Sequence, residues 1–369
     1  MNFDKVQKLM DDSVAYMQVP CSDIIVTYKG KMVFRYQNGT RDDERKVPLA
    51  GDELYFLYSA TKVITATALM QLLEKGKISL EDEVAKYIPE YGDLWIKAEN
   101  GARRARMPLQ IKHLFTMTSG LDYNLERGGI LQQKQNKPDS TTLEMVRTFV
   151  QEPLEFEPGM HYLYSLSHDV LAAVLELVTD MSFGEYLKKN IFDVCDMENT
   201  GFTLNDDIRS RMCSQYRIDE QTGIAGLIEK ENEYILTPNY ESGGAGLISC
   251  VEDYGRFVTE LANGNRLLKA ETINLMRRNH LGVQARAEFE TMKLGYTYGL
   301  GVRTNQTCAF SAKGEFGWDG AAGAYSLIDP DNHIAIFYAT HIRKHGDYLY
   351  EKLHPAIRDT VYEALFGKR

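Results

Sequence analysis

A surplus of positive charge is missing from this sequence. It holds 42 lysines and arginines against 52 aspartates and glutamates, for a net charge of −10. A chain of that sign gains nothing by releasing phosphate counterions, so nucleic-acid binding would need a local basic patch. The one dense basic run, Arg103, Arg104 and Arg106, reads as a solvated loop. Cysteine pairing signals are also absent. Cys21, Cys195, Cys213, Cys250 and Cys308 form no CxxC and have no histidine companion at zinc spacing. An odd number of scattered thiols argues against a disulfide framework and suits a reducing compartment. No apolar h-region follows the opening Met-Asn-Phe-Asp-Lys, so no secretory signal is expected. The richest apolar stretch, Val63 to Leu73, is broken by Thr65, Thr67 and Gln71 and is too short to span a bilayer. Repeats, low-complexity tracts and flexible linkers are lacking. The expectation is a cytoplasmic protein with no nucleic-acid partner and no membrane span.

What is present is ordinary globular composition over 369 residues, 44% hydrophobic and 25% charged, enough for one large or two coupled domains. Phe3, Val6, Met10, Val14 and Met17 recur at helical spacing up to Pro20. Residues 24–28 and 32–36 read as a β-hairpin, with a further turn at Asn38-Gly39. A helix rich in alanine, leucine and methionine is expected from Ser59 to Glu74. Further helices are expected at Ile111–Thr118, Thr142–Gln151, His168–Thr179, Phe183–Asp193 and near Glu252–Asn263. The runs 298–302, 324–328 and 334–338 are β-like, with Asp329-Pro330-Asp331-Asn332 as a hairpin turn, and a last helix spans Tyr348 to Phe366. Strands at both ends with helices between imply an α/β domain from residues 1–78 and 290–369. A mostly helical domain would cover 79–289, with the active site where the two meet.

HExxH, GxSxG, GxxxxGK[ST] and metal-ligand clusters are all missing. The glycine-rich runs at 243–246 and 317–323 lack GxGxxG spacing and read as tight backbone turns. One candidate remains, Ser59-Ala60-Thr61-Lys62. With 15 serines and 22 lysines, chance alone supplies about one S-x-x-K, so the spacing is weak by itself. Its position adds weight. Ser59 stands where the extended run 54–58 meets the helix, and an offset of three puts both side chains on one helix face. Helix N-terminal N–H groups there favour an anionic nucleophile or oxyanion. An N-cap serine beside a surface lysine fits the position as well.

Other stretches agree with the first reading. Tyr164-Ser165-Leu166 precedes an apolar helix, and Trp318-Asp319-Gly320-Ala321 leads into a late strand. Leu109–Leu121 reads LQIKHLFTMTSGL, and Gly243–Ser249 is followed by Asp253-Tyr254-Gly255-Arg256-Phe257. Together these stretches resemble the serine β-lactamase and penicillin-binding-protein superfamily over almost the whole chain, and most closely its class C-like, family VIII carboxylesterase branch. The resemblance implies an antiparallel sheet flanked by helices plus a mostly helical domain, and acyl-enzyme chemistry without metal or organic cofactor. It makes Ser59 the nucleophile, with Lys62 and Tyr164 its proton relay. The backbone N–H groups of Ser59 and Ala321 would form the oxyanion hole. A hydroxyl needs such a base, and burial or a neighbouring charge could prepare either Lys62 or Tyr164 for the task.

The departures narrow the substrate. Trp318-Asp319-Gly320 stands where β-lactamases carry Lys-Thr/Ser-Gly, and Leu166 where they carry asparagine. Trp318, Asp319, Gly320 and Leu166 are therefore the expected substrate-binding residues, with Leu166 an apolar wall. Two like charges about 5 Å apart at an effective dielectric of about 20 repel by roughly 3 kcal/mol. Asp319 should thus disfavour a β-lactam carboxylate unless another cation compensates. The expected activity is hydrolysis of small esters. Peptidase or amidase action on D-amino acids, weak β-lactamase activity, acyl transfer and a non-turning-over penicillin sensor stand as alternatives. His161 and His168 read as surface or helix-start residues, Asp169 as a helix N-terminal charge, most of the 22 tyrosines as packing, and residues 125–141 as a pocket-shaping loop.

Overall fold

The computed structural model describes residues 1–307 and 311–367; Cys308 lies outside the described residues. The chain opens with helix α1 (Asp4–Met17), whose Val6, Met10 and Met17 are buried at the spacing the sequence predicts. Strands β1 (Cys21–Tyr28) and β2 (Lys31–Gly39) form the expected hairpin. β2 runs through Asn38 to Gly39 without turning, because those residues continue the ladder opposite Ser22 and Cys21. A two-residue strand, β3 (Tyr55–Phe56), pairs with Ile248–Ser249 and leads to helix α2 (Thr61–Glu74). Later come α3 (Ser167–Thr179) and α4 (Val251–Asn263), and then five strands: β4 (Tyr296–Tyr298), β5 (Arg303–Asn305), β6 (Phe316–Gly317), β7 (Tyr325–Asp329) and β8 (Ile334–Ala339). Helix α5 (His354–Phe366) closes the chain.

The main sheet has seven strands in the order β2-β1-β8-β7-β6-β5-β4, antiparallel at every pairing. The β1–β8 pairing joins the two ends of the sequence, with Ile24 opposite Tyr338 and Val26 opposite Ile336. Both faces of β8 are covered, and the period-two alternation sorts its residues between two cores. Ile334, Ile336 and Tyr338 pack with α1 and α5, against Val6, Met10, Ile357 and Val361. Ala335, Phe337 and Ala339 face the larger core, where Tyr254 of α4 stacks on Phe337 at 4.1 Å.

Helix α2 is buried on every side: Thr61 to Leu72 are all enclosed. Its polar positions are satisfied locally. Thr65 Oγ1 donates to the Gly243 carbonyl at 2.6 Å and Thr67 Oγ1 to the Val63 carbonyl at 2.8 Å. No helix among the described residues is long and apolar enough to cross a membrane.

Several expectations require correction. The run 298–302 is not one strand: Tyr298 ends β4, and 299–302 form the turn into β5. Its amides point elsewhere, Leu300 N–H to the Met276 carbonyl and Gly301 N–H to the Phe115 carbonyl. The middle, expected to be mostly helical, also holds sheet: a hairpin of Trp95–Ala98 with Gly101–Arg104, and another of Gln215–Ile218 with Ala225–Ile228 joined by Ile342–Arg343. Strands of two to four residues, mostly half-exposed, are too short to carry a readable alternation. The segment 125–141 contains a helix at Gly128–Asn136. The Arg103 and Arg104 side chains meet Glu157 at 2.6 Å and Asp93 at 2.9 Å, so two of the three basic side chains are matched by acids.

Candidate active site

The path into Ser59 is abrupt. After β3, the Leu57 N–H donates to the Leu247 carbonyl, and Tyr58 then adopts φ +46°, a left-handed conformation rare for an aromatic residue. Strain of this kind persists only where surrounding contacts enforce it. Here the Tyr58 hydroxyl donates to Gln215 Oε1 at 2.7 Å, and the Arg343 guanidinium lies 4.6 Å from the ring centre. Tyr58–Ala60 form a single 3-10 turn, so α2 starts at Thr61 and Ser59 caps nothing with its side chain. The N-cap reading of Ser59 therefore fails on geometry.

Lys62, in the first turn of α2, is fully buried. Its Nζ donates to Ser59 Oγ at 3.2 Å, Tyr123 Oη at 3.0 Å and the Gly244 carbonyl at 2.8 Å. Burial lowers its pKa to about 7, against the opposing pull of Asp169. At neutral pH the amine is thus divided between its charged and neutral forms.

Tyr164 reaches the same point from the irregular segment before α3. The Lys62 ammonium lies 4.5 Å from its ring centre, and the Trp318 indole Nε1–H donates to its oxygen at 3.0 Å. Trp318 and Tyr123 stack on it at 5.6 and 5.4 Å. Burial pushes the phenol far above its ordinary range, while hydrogen bonds with Ser59 and Trp318 pull the other way. One hydroxyl, one amine and one phenol, spread from position 59 to 164, are thus brought together.

Alternate residues of the Trp318-Asp319 segment point to opposite sides. Trp318 faces Tyr164, and the buried Asp319 turns into a charged cluster behind it. Lys293 Nζ lies 2.5 Å from Asp319 Oδ2, and Arg303 Nη1 lies 3.2 Å from its Oδ1. His354 stands 3.7 Å away and is held neutral by burial, at a pKa of about 3. The two cations hold the Asp319 pKa below the usual carboxylate range despite its burial. The compensating cation left open by the sequence therefore exists twice over, and the expectation that Asp319 repels a substrate carboxylate does not stand.

Gly320 lies between the sheet and the turn carrying Ser59. A Cβ there would sit 2.3 Å from the Leu57 carbonyl oxygen, so only glycine allows this approach. The contact sets the next residue, Ala321, against the turn carrying Ser59. Neither the Ser59 N–H nor the Ala321 N–H has a hydrogen-bond acceptor among the described residues. Leu166 is buried and packs into the main core, with its N–H bonded to the Asp122 carbonyl.

Two participants escaped the sequence reading. Tyr123 lies two residues past the LQIKHLFTMTSGL stretch, and its tyrosine at that offset was the available signal. The Gly244 carbonyl carries no side-chain signal. A Cβ on Gly244 would fall 2.6 Å from Asp169 Oδ2 and 2.9 Å from Tyr123 Oη, so this glycine lets the lysine's surroundings close. Asp169 does occupy the first turn of α3 as expected. It is also buried, accepts from Ser242 Oγ at 2.6 Å and acts electrostatically on Lys62. His161 meets Glu288 at the surface, 2.7 Å away, whereas His168 is fully buried at the start of α3. No group of three histidines, cysteines or acids among the described residues could hold a metal ion.

The Beta-lactamase family model matches residues 6–356. Esterase EstB of Burkholderia gladioli is 26% identical over 97% of this chain and 94% of its own. Among solved structures, EstCE1, described as a hydrolase with promiscuous acyltransferase activity, superposes with a TM-score of 0.83 at 24% identity, covering 97% of this chain and 98% of its own. Simvastatin synthase LovD of Aspergillus terreus gives a TM-score of 0.84 at 20% identity, with 98% of each chain covered.

Proposed function

We propose that this chain, which belongs to the beta-lactamase family and is a serine hydrolase, is a carboxylesterase that forms an acyl-enzyme on Ser59. The observation that carries the reading is the 3.2 Å contact of Ser59 Oγ with a lysine whose pKa is lowered to about 7. A hydroxyl becomes an effective nucleophile when a base within hydrogen-bond reach can take its proton, and a base poised near the working pH does so best. Lys62 meets both conditions. Tyr164, pushed upward by burial, stays a phenol at neutral pH and is better suited to giving a proton than to taking one.

In this scheme neutral Lys62 takes the Ser59 proton as Oγ attacks the ester carbonyl. The Ser59 and Ala321 N–H groups receive the developing oxyanion. Tyr164 passes a proton to the departing alcohol and is re-protonated by way of Lys62, and water then enters along the reverse path to release the acid. Trp318 in place of a lysine supplies the phenol with a neutral donor instead of a fixed cation, which favours neutral esters over substrates needing a carboxylate anchor. Trp318, Gly320 and Leu166 would bound the substrate, and Asp319 would fix Trp318 from behind. Ser59 and Trp318 come from the α/β part (1–78 with 290–369), and Tyr123 and Tyr164 from the helical part (79–289), so substrate would enter between them. The unpaired thiols suit a reducing compartment such as the cytoplasm.

The test is direct. Mixed with p-nitrophenyl butyrate and acid-quenched within the first turnover, the protein should gain the mass of one butyryl group, mapped to the peptide carrying Ser59. A butyryl group on any other residue, or turnover with no adduct at early times or after slowing deacylation at low pH, defeats the proposal.

Tyr123→Phe keeps the stacked ring but removes one of Lys62's three partners. kcat/KM should fall about tenfold, the worth of about one strong hydrogen bond, with the unfolding midpoint little moved. An unchanged kcat/KM would assign Tyr123 to packing alone.

A second reading rests on the likeness to EstCE1. The same acyl-enzyme can pass its acyl group to an alcohol in place of water. Added short alcohols would then divert p-nitrophenyl butyrate from butyric acid to the corresponding alkyl butyrates without slowing p-nitrophenol release.

A further inference from the structure

The active-site mechanism leaves a second pair of reactive side chains unused. Cys21, at the start of β1, and Cys213, just past the short helix Asp206–Arg211, are both buried, with their sulfurs 3.3 Å apart. The Tyr55 hydroxyl lies 3.9 Å from Cys21 Sγ. We propose that Cys21 and Cys213 are an oxidation site, a thiol pair that a hydroperoxide converts to an intramolecular disulfide.

The geometry favours closure. A disulfide bond is about 2.05 Å long, so the sulfurs need to approach by little more than about 1 Å. The two positions are 192 residues apart in sequence. A cross-link across so long a stretch removes much freedom from the unfolded chain, which is where disulfide stabilisation chiefly arises in the chain-entropy account. Cys195 and Cys250 have no comparable sulfur neighbour among the described residues.

The surroundings say what the bond would fasten. The Cys213 N–H donates to the Leu54 carbonyl, and the Leu54 N–H to the Arg211 carbonyl. The Cys213 carbonyl meets His341 Nδ1 at 3.0 Å, and the Cys21 carbonyl accepts from Thr340 Oγ1 at 2.9 Å. The bond would thus clamp the central sheet to the segment flanking β3, the strand that leads to Ser59. Burial pushes the Cys213 thiol well above its ordinary pKa, so in the closed protein it stays protonated and unreactive. Oxidation therefore waits on local opening.

The chemistry balances without any group from the protein's own reaction. One thiolate attacks an oxygen of hydrogen peroxide and breaks the O–O bond, giving a sulfenic acid and a hydroxide that takes up the proton the thiol lost to become one water. The second sulfur attacks the sulfenic sulfur, forming S–S and releasing the second water. Two thiols lose two hydrogens in all, and one peroxide is reduced.

The test incubates the full-length protein with hydrogen peroxide a few degrees below its unfolding midpoint, where local opening is frequent. The protein is then denatured in N-ethylmaleimide and peptide-mapped. Peptides carrying Cys21 and Cys213 should appear joined, two hydrogens lighter than their sum and unalkylated. The bridged protein should melt about 4 °C or more higher, and dithiothreitol should reverse the gain. Cys21→Ser should show neither change. The map of the unaltered sequence decides the question even if that variant fails to fold. Recovery of both cysteines alkylated, linkage of either to a different cysteine, or a lowered midpoint on bridging would overturn the proposal.

Discussion

Replacing Ser59 with alanine is expected to lower kcat/KM for p-nitrophenyl butyrate by roughly 10^4-fold or more, the scale on which nucleophile removal acts in serine hydrolases. The loss should come with an unchanged unfolding midpoint. Ser59 is half-buried and caps no helix, and alanine fits its 3-10 turn. The hydroxyl's interactions are with Lys62 and Tyr164, each of which keeps other partners, the Tyr123 hydroxyl and Gly244 carbonyl for Lys62 and the Trp318 indole for Tyr164. A variant retaining more than about one per cent of wild-type turnover would remove Ser59 from the mechanism. Stopped assays with purified Ser59→Ala and a matched thermal melt separate that outcome from misfolding.

The legibility of this site in the sequence follows chain distance. Ser59 and Lys62 are three positions apart on one turn, so helical geometry alone predicts their contact. Tyr164 has no such local link and became readable only through the resemblance carried by its neighbours. The Gly244 carbonyl was invisible for a different reason, since a backbone acceptor leaves no residue-type signature. Asp319 shows the cost of reading a charge in isolation. Its partners Lys293 and Arg303 lie 26 and 16 positions earlier and meet it only because β4 to β7 stack in the sheet. At the level of fold, the apolar runs at 24–28 and 334–338 are long enough to reveal β1 and β8. The two-residue strands β3 and β6, which position Ser59 and Trp318, are too short to show any period. The elements nearest the chemistry were therefore the least legible.

The same logic makes Lys62 the most informative residue to change. Lys62→Met preserves length and apolar stem but removes the proposed base, and kcat/KM should fall about 10^3-fold, within the range of positioned proton transfer. The pH dependence separates this loss from misplacement. On the proposed mechanism only the neutral amine accepts the Ser59 proton in the wild type, so kcat/KM should rise with pH and level off above an apparent pKa near 7. In Lys62→Met that limb should vanish. An unchanged limb would transfer the titration to another group and with it the role of base. Stability should move in a matched direction. Burial lowers the folded-state pKa of Lys62 to about 7, against 10.5 for the ordinary amine. Between those values the unfolded chain holds a proton that the folded chain has released, so raising the pH from 7 to 10 favours the folded wild type through this group. The variant lacks the group, so the wild type should gain stability on Lys62→Met across that interval, as read from paired denaturant unfolding curves at each pH. A lysine forced to be nearly neutral is costly to the fold and useful to the reaction, and these two titrations measure both sides of that exchange on one nitrogen atom.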